Sequence, residues 1–442
     1  MTLGEKAVKK ALKLGMDEAE AYISRTREIR VQYSSEIEAY KSVESLGFGI
    51  RVIKGKKIGL HSTTILNEAE MEKAVEKAVS IAKITPDDNN WTSLNKKQAS
   101  SKVKGIYDDK IPLLEYDTIV EAVSSGIDRA SENDRKVKVT RGMTLIFSGS
   151  TEITSNYYDT IKQNETYVFA NITCKAVEGG ISTGSFTQQA RNWDDINYFE
   201  IADKSAEQAL KYVQAKPIES AKMPVIIQNR LFGSIFGLML GANINSENNQ
   251  KGRSTFATKK GTQIFDERIN CVDDGLLDKG ARTRKFDCEG HPTQKTSIIE
   301  KGVLKNFIYD SYRANKEQVK STGNARRQYF QTPNPAINNL VLQNGDTSLD
   351  DMIKDTKKGI FIERTIGHWL SRPASGELNA TVTHGFLIEN GELTQPINNV
   401  ILAGNFFEVM KDKLDVIGND ITNNGFFYTP SIKFSELTIA GK

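Results

Sequence analysis

Hydrophobic residues return at helical spacing in several separate stretches of the chain. In four of them an apolar face alternates with a polar one, the pattern of a surface helix. Asn67 precedes the second stretch as an N-cap, and Gly15 follows the first as a C-terminal stop. A fifth stretch, 230–243, is apolar on nearly every face, which predicts a buried helix. The four amphipathic stretches are 4–14, 67–81, 114–131 and 193–215.

Alternating apolar and polar residues predict strands between these helices. Residues 54–56 form a turn between two of the strands, and Gly302 and Gly391 supply turn residues for two similar hairpins at 298–304 and 387–393. Strands and helices do not alternate regularly, so we expect an α+β fold with antiparallel sheets. The other predicted strands are 29–33, 49–53, 58–60, 136–148, 166–174 and 224–227.

Chain length and two polar stretches organise this pattern into domains. A chain of 442 residues exceeds the usual size of one hydrophobic core. We place the boundary in the polar stretch 217–222, which gives an N-terminal α+β domain (1–220) and a β-rich C-terminal domain (221–442). The polar stretch 86–101 is expected to be an exposed connection.

Charge and composition exclude several classes of protein. The net charge is only +3 and charges of both signs are interspersed, so the basic patch of a nucleic-acid binder is missing. No apolar run reaches the roughly 20 residues that span a bilayer, and the chain opens with a charged helix in place of a signal peptide. We therefore expect a cytoplasmic protein without membrane or nucleic-acid contacts.

Candidate chemistry is sparse and concentrates at residues 287–291. Cys288 and His291, with Asp287 and Glu289, offer sulfur, nitrogen and oxygen ligands, but their spacing fits no ordinary zinc pattern. A Cys288 nucleophile with His291, His368 or His384 as its base is a second interpretation, and a structural role for these residues is a third. No two histidines lie three or four residues apart, where one helix face would present both.

A second candidate is the segment 321–324, which is followed by Arg326 and Arg327. Its small and polar residues are compatible with an anion-binding turn made of backbone N–H groups. The full phosphate-loop pattern is absent, so an ordinary polar turn is the competing interpretation.

Several segments of the chain resemble the TldD/PmbA family, whose older name refers to modulation of DNA gyrase. The resemblance covers nearly the whole chain and implies an α+β fold. Residues that it suggests for contact with a peptide or a partner are Asp287, Glu289, His291, Thr293, Ser321, Thr322 and Asn324. The segments that carry it are 15–20, 47–52, 286–294, 298–304, 320–324, 387–392, 403–405, 417–420 and 430–442.

The family has two kinds of member, and the resemblance distinguishes them by metal ligands. In the TldD kind, the buried helix carries His-Glu, three further residues and a second His, and a late cysteine completes the site. Those positions fall here on Gly237, Leu238, Ala242 and Ile417, none of which ligates a metal. The chain therefore resembles the TldE (PmbA) kind.

The resemblance implies a metal-free subunit without a catalytic residue of its own. Its expected partner is a TldD-like metallopeptidase subunit that carries zinc, and its expected substrates are unfolded peptides that the complex processes or degrades. A homodimer is a further implied assembly. Two alternatives stay open, namely an independent hydrolase that uses Cys288 and His291, and a non-enzymatic regulatory interaction protein.

Overall fold

A computed structural model describes residues 1–441, apart from the side chain of Asn133. Lys442, the end of the predicted C-terminal domain, lies outside them. The described helices are α1 (Leu3–Lys13), α2 (Glu68–Ile84), α3 (Tyr116–Asn133), α4 (Tyr198–Lys211), α5 (Asn229–Ile244), α6 (Ser246–Gln250), α7 (Ser311–Lys316), α8 (Leu349–Lys354) and α9 (Phe406–Asp412). Short 3-10 helices lie at Ile111–Leu113, Trp193–Asp195 and His368–Leu370.

Six long strands form an antiparallel sheet in the order β3-β2-β1-β4-β5-β6. Helices α1 and α2 pack against one part of this sheet, and α3 and α4 pack against another. Each pair covers its own apolar core, so the predicted helices and sheet are confirmed. The strands are β1 (Glu18–Tyr33), β2 (Ile37–Lys54), β3 (Lys57–Thr63), β4 (Val137–Ser155), β5 (Tyr158–Val177) and β6 (Ile181–Ala190).

The rest of the chain is rich in short strands. They are β7 (Ala221–Ile227), β8 (Cys271–Asp274), β9 (Lys295–Glu300), β10 (Val303–Leu304), β11 (Ala325–Arg326), β12 (Asn334–Pro335), β13 (Leu340–Leu342), β14 (Lys358–Ile366), β15 (Glu377–Glu389), β16 (Glu392–Ile397), β17 (Val400–Asn405), β18 (Leu414–Ile417), β19 (Thr422–Asn424), β20 (Phe427–Thr429) and β21 (Ile432–Ala440). One sheet has the order β10-β9-β8-β13-β20-β19. In a second, β14, β7, β21, β17 and β15 form a closed ring, because β14 also pairs with β15.

Helix α5 lies in the largest apolar core, as its sequence predicts. Phe232 and Phe236 stack at 5.5 Å between ring centroids and contact Phe406. Both hairpins are also confirmed, with Gly302 and Gly391 at positive φ. The α+β fold class is confirmed, and the boundary at residue 220 stays a prediction.

The expectation of an exposed connection at 86–101 is partly wrong. Trp91 and Leu94 are buried, and the Trp91 indole N–H donates to the Glu18 carboxylate at 3.3 Å. The backbone N–H of Ser101 donates to the carbonyl of Lys285 at 2.8 Å. The polar segment 86–101 therefore lies across both halves of the chain and contacts each of them. Within residues 1–441, no helix combines the length and the apolar character needed to cross a membrane.

Candidate functional site

Three glycines at four-residue spacing mark one face of α5, and the resemblance assigns a metal-ligand position to the middle one. The Phe427 ring of β20 lies over the middle one, Gly237, and a Cβ built there would lie 2.4 Å from ring carbons. Such a distance is far shorter than van der Waals contact. Asn424 holds this segment on the helix, since its side-chain N–H groups donate to the Arg230 carbonyl (3.0 Å) and the Ser234 hydroxyl (2.5 Å). The space beside Gly237 is thus filled by an aromatic ring.

The other assigned positions carry hydrocarbon side chains. Leu238 and Ala242 lie one turn apart on α5 and are half-buried. Ile417 ends β18, pairs with Ile432 of β21 and is buried. The structure thus brings Gly237, Leu238 and Ala242 together on one helix, and the side chain that packs on Gly237 is Phe427.

The segment 287–291 folds into a tight turn around the Asp287 carboxylate. One oxygen of Asp287 accepts the N–H groups of Glu289 (2.9 Å) and His291 (3.0 Å), and the other accepts the N–H of Ala325 (3.2 Å). Gly290 supplies the positive φ of 76° that the turn requires. Burial, together with the nearby Glu289 carboxylate, raises the pKa of Asp287 to about 6. This carboxylate therefore organises the turn.

Four buried charges join this turn to the first sheet. The Glu20 carboxylate accepts from Arg327 at 2.6 Å and from Arg51 at 3.1 Å, and Arg51 also lies 3.5 Å from Glu289. Each of these side chains is at most 4% exposed. Burial opposes ionisation of Glu289, but Arg51 and the N–H of Ser311 outweigh it and lower the pKa of Glu289. The network therefore connects β1 and β2 with the second half of the chain.

Cys288 and His291 face different cavities. The Cys288 thiol packs in an apolar cluster and borders a cavity of about 450 Å³ between the first sheet and the second half of the chain, here called the Cys288 cavity. His291 lines another cavity of about 390 Å³, the His291 cavity, and its Nε2 lies 2.8 Å from the Ser311 hydroxyl. Burial raises the pKa of Cys288 well above the ordinary value of a thiol. The geometry does not support a Cys288–His291 nucleophile and base pair.

We expect all three cysteines of the native protein to react with a thiol reagent at least about 100-fold more slowly than in the unfolded chain. Cys174, Cys271 and Cys288 are each at most 3% exposed, and burial raises the pKa of every one. Reaction with 5,5′-dithiobis(2-nitrobenzoic acid), with and without guanidinium chloride, measures the difference. The Cys288→Ser variant shows which thiol accounts for any rapid phase. A rapid phase in the native protein, from Cys288 or from either of the other two thiols, would contradict the prediction.

Two of the suggested contact residues face the His291 cavity. His291 and Ser321 both border the His291 cavity, together with Lys96, Gln294 and Lys320. The cavity is lined mainly by polar side chains, and two of them are lysines. Its surface therefore suits a polar ligand better than an apolar one.

The other suggested residues use their polar atoms within the fold. Asp287 and Glu289 hold the turn and the ion network described above. The Thr322 hydroxyl accepts the N–H of Tyr309 at 2.7 Å, and the Thr293 hydroxyl donates to the carbonyl of Arg284. The Asn324 amide donates to the Asp273 carboxylate at 2.5 Å. The Thr322 N–H and the Gly323 N–H also bond internally, so the segment 321–324 does not form an anion-binding turn.

Family models match nearly all of the second half of the chain and a part of the first half. The PmbA/TldA metallopeptidase C-terminal domain matches residues 220–441, and PmbA/TldA metallopeptidase domain 1 matches residues 19–82. The chain belongs to the PmbA/TldD metallopeptidase family. The predicted family resemblance is therefore confirmed.

Several individual relatives match this chain over nearly its full length. An uncharacterized protein of Methanocaldococcus jannaschii is 29% identical over 432 residues, which cover 97% of this chain and 98% of the relative. Metalloprotease PmbA of Escherichia coli O157:H7 is 25% identical over 452 residues, which cover 99% and 96%. The structure of TldE from Thermococcus kodakarensis has a TM-score of 0.92 over 100% of both chains at 24% identity. The fold is thus that of TldE.

Several relatives are named as metalloproteases, which implies a metal ion in the family. The residues at the assigned positions of this chain are not metal ligands. Zinc in proteins is bound by cysteine sulfur, histidine nitrogen or carboxylate oxygen. Gly237, Leu238, Ala242 and Ile417 have no such atoms in their side chains. In the part of the chain that the structure describes, no three His, Cys, Asp or Glu side chains are grouped so that they could hold a metal ion.

The Cys288 cavity contains functional groups that the sequence did not single out. Arg284 lines it beside Cys288 and Arg326, and Gln163 and Glu165 reach it from β5. In the sequence, Arg326 and Arg327 stand out only because they follow the possible anion-binding turn at 321–324. The approach of Arg326 to Arg284 depends on the tertiary fold, so no local spacing could indicate it.

Proposed function

We propose that this chain is the metal-free, TldE-type subunit of a TldD/TldE-type metallopeptidase. A TldD-like partner carries the zinc and the catalytic groups, and this subunit helps to form the space in which peptides are cleaved. The complex acts in the cytoplasm. A homodimer of this chain, the other assembly that the resemblance implies, stays a prediction.

The contact between Gly237 and Phe427 carries this proposal. At the position where a metal ligand is expected, the ring leaves no room for a Cβ. Replacing the glycine alone would therefore not create a ligand, because Phe427 and the segment that Asn424 holds would also have to move. With Leu238 and Ala242 on the same helix, this face supports packing and not metal binding.

The proposed substrates are unfolded peptides that the complex processes or degrades. An extended chain presents N–H and C=O groups that main-chain hydrogen bonds can capture with little dependence on sequence. The His291 cavity offers polar side chains of matching chemistry, among them Ser321, Gln294 and Asn95. It is therefore the proposed place of peptide or partner contact for His291 and Ser321.

Reconstitution with a TldD-like subunit tests the proposal. We expect no cleavage of an unstructured peptide by this chain alone, cleavage by the mixture, and loss of that cleavage when a zinc chelator is added. Chelator-sensitive cleavage by the purified chain alone would contradict the proposal. Cleavage by the chain alone that resists the chelator but is lost in Cys288→Ala would favour the independent hydrolase.

The regulatory alternative predicts a different result in the same preparation. A regulator without a peptidase partner would leave the TldD-like subunit as active alone as in the mixture. We expect instead that the mixture is the active form. We also expect no salt-sensitive association with DNA, since the net charge is only +3.

A further inference from the structure

Four arginines lie close enough beside the Cys288 cavity to influence one another. They are Arg191, Arg282, Arg284 and Arg326, and burial together with the nearby Arg284 lowers the pKa of each of the other three. Arg191 donates to the carbonyls of Thr166, Gly280 and Thr283 and is thereby fixed in the fold. Arg284 and Arg326 are the two that line the cavity.

Acidic groups balance this cluster only in part. Glu165 and Asp287 also line the cavity. The nearest ion pair of Glu165 is with Arg191 at 3.7 Å, and Asp287 is already held by three backbone N–H groups. Asp273 is a third neighbouring acid, but it is fully buried and bonded to Asn324 and Asn338. Within residues 1–441, neither Arg284 nor Arg326 has a carboxylate oxygen within 4 Å.

The guanidinium group of Arg326 shows the effect of this incomplete charge balance. One of its terminal N–H groups donates to the Arg282 carbonyl at 3.3 Å, while its buried Nε has no partner in the described chain. Burial, with Arg284 and Arg282 close by, lowers the pKa of Arg326 well below its ordinary value. A buried charge without a partner is unfavourable, and an anion beside it would remove much of that cost.

The other side chains that line the cavity indicate which kind of molecule bears the anionic group. A volume of about 450 Å³ lies in the range of sites for small organic ligands. Hydrogen-bonding side chains such as Thr151, Gln163 and Gln331 surround it, beside the rings of Tyr22 and Phe147. Such a mixture suits a peptide segment, with its amide groups and side chains, better than a bare inorganic ion.

We propose that the Cys288 cavity binds a carboxylate group of a peptide through Arg284 and Arg326. Guanidinium and carboxylate groups match each other in planar, two-point hydrogen bonding. The carboxylate is the peptide's C-terminus or an acidic side chain, which present the same chemistry. Arg327 takes a supporting role because Glu20 already holds it. The inference rests on the proposed function only in naming a peptide as the ligand.

Peptide binding to the intact chain tests the proposal by isothermal titration calorimetry. Three unstructured peptides of one core sequence are compared, namely one with a free C-terminus, one amidated, and one amidated with an internal Glu. We expect a carboxylate-bearing peptide to bind about tenfold or more tightly than the amidated one. The peptide that binds more tightly, the one with a free C-terminus or the one with an internal Glu, shows which carboxylate the cavity recognises. Inorganic phosphate is added as a competitor.

Matched variants locate the site. Arg284→Gln is expected to weaken binding about tenfold or more. Glu165→Gln is expected to strengthen it several-fold, because it removes a like charge from the cavity. Arg364→Gln serves as the control, since Arg364 is half-buried and lines a different cavity of about 490 Å³. Arg284 is also only half-buried, so its variant is expected to keep the native circular dichroism spectrum.

Three results would overturn the inference: equal binding of all three peptides, binding unchanged by Arg284→Gln, or a larger loss with Arg364→Gln. Phosphate that competes as tightly as the carboxylate peptide binds would overturn the assignment to a peptide. If the mixed complex cleaves peptides but a carboxylate group does not raise the affinity for a peptide, this inference alone fails. If carboxylate binding is seen and the mixture does not cleave, the proposed function fails instead.

Discussion

Glu20→Gln is expected to lower the free energy of unfolding by about 3 to 5 kcal/mol, the range for breaking a buried ion pair from one side. Glu20 is 1% exposed, and one of its carboxylate oxygens accepts from both Arg51 and Arg327. A neutral amide of the same shape leaves these two guanidinium groups without that countercharge. Glu289, at 3.5 Å from Arg51, compensates only one of them.

Urea unfolding followed by circular dichroism measures this effect, and the exposed pair of Lys6 and Glu68 provides the control. Glu68→Gln breaks an ion pair with the same change of residue, but the Glu68 side chain is 56% exposed. Exposed pairs contribute little to stability, so this variant is expected to change the unfolding curve hardly at all. Equal effects of the two substitutions would show that the buried network does not hold the two halves together.

Gly237→Ala is expected to destabilise the protein by about 1 to 3 kcal/mol, as overpacking of a core usually does. In an exposed helix the same change would stabilise by about 1 kcal/mol, since alanine is the better helix former. The sign is therefore diagnostic of the Phe427 ring, which lies 2.4 Å from the position of the new Cβ. Chemical denaturation of the variant measures the sign and the size.

Two further variants isolate the contact. Gly241→Ala places its Cβ 3.0 Å from the end of the Ile337 side chain alone, which can move, so we expect a small effect or a gain in stability. Gly237→Ala combined with Phe427→Leu should be more stable than the sum of the two single changes predicts. Additive effects would mean that Phe427 does not limit the space at Gly237.

Sequence patterns located most helices and the cores of the long strands. Asn67 caps α2 as expected, and the all-round apolar stretch became the buried α5. Strand lengths were underestimated. The first half of β2 is exposed on both faces, so its residues show no alternation of apolar and polar side chains. Strand β1 begins with six buried residues that include Glu18 and Glu20, and buried acids do not follow the usual pattern.

The candidate site was less accessible to sequence reasoning. The resemblance assigned Gly237, but only the fold shows that Phe427, far along the chain, covers it. Cys288 and His291 are three residues apart, and the sharp turn at Gly290 directs them into separate cavities. Arg284 and Arg326 approach one another through tertiary contacts. Helical or strand periodicity carries no information on any of these three relations.

Zinc content of the isolated subunits tests the central claim most directly. Each subunit is incubated with zinc, passed over a desalting column and analysed by inductively coupled plasma mass spectrometry. The account predicts roughly one zinc per TldD-like chain and essentially none on this chain, whose positions 237, 238, 242 and 417 lack donor atoms. About one tightly held zinc per molecule of this chain, retained through the column, would contradict it.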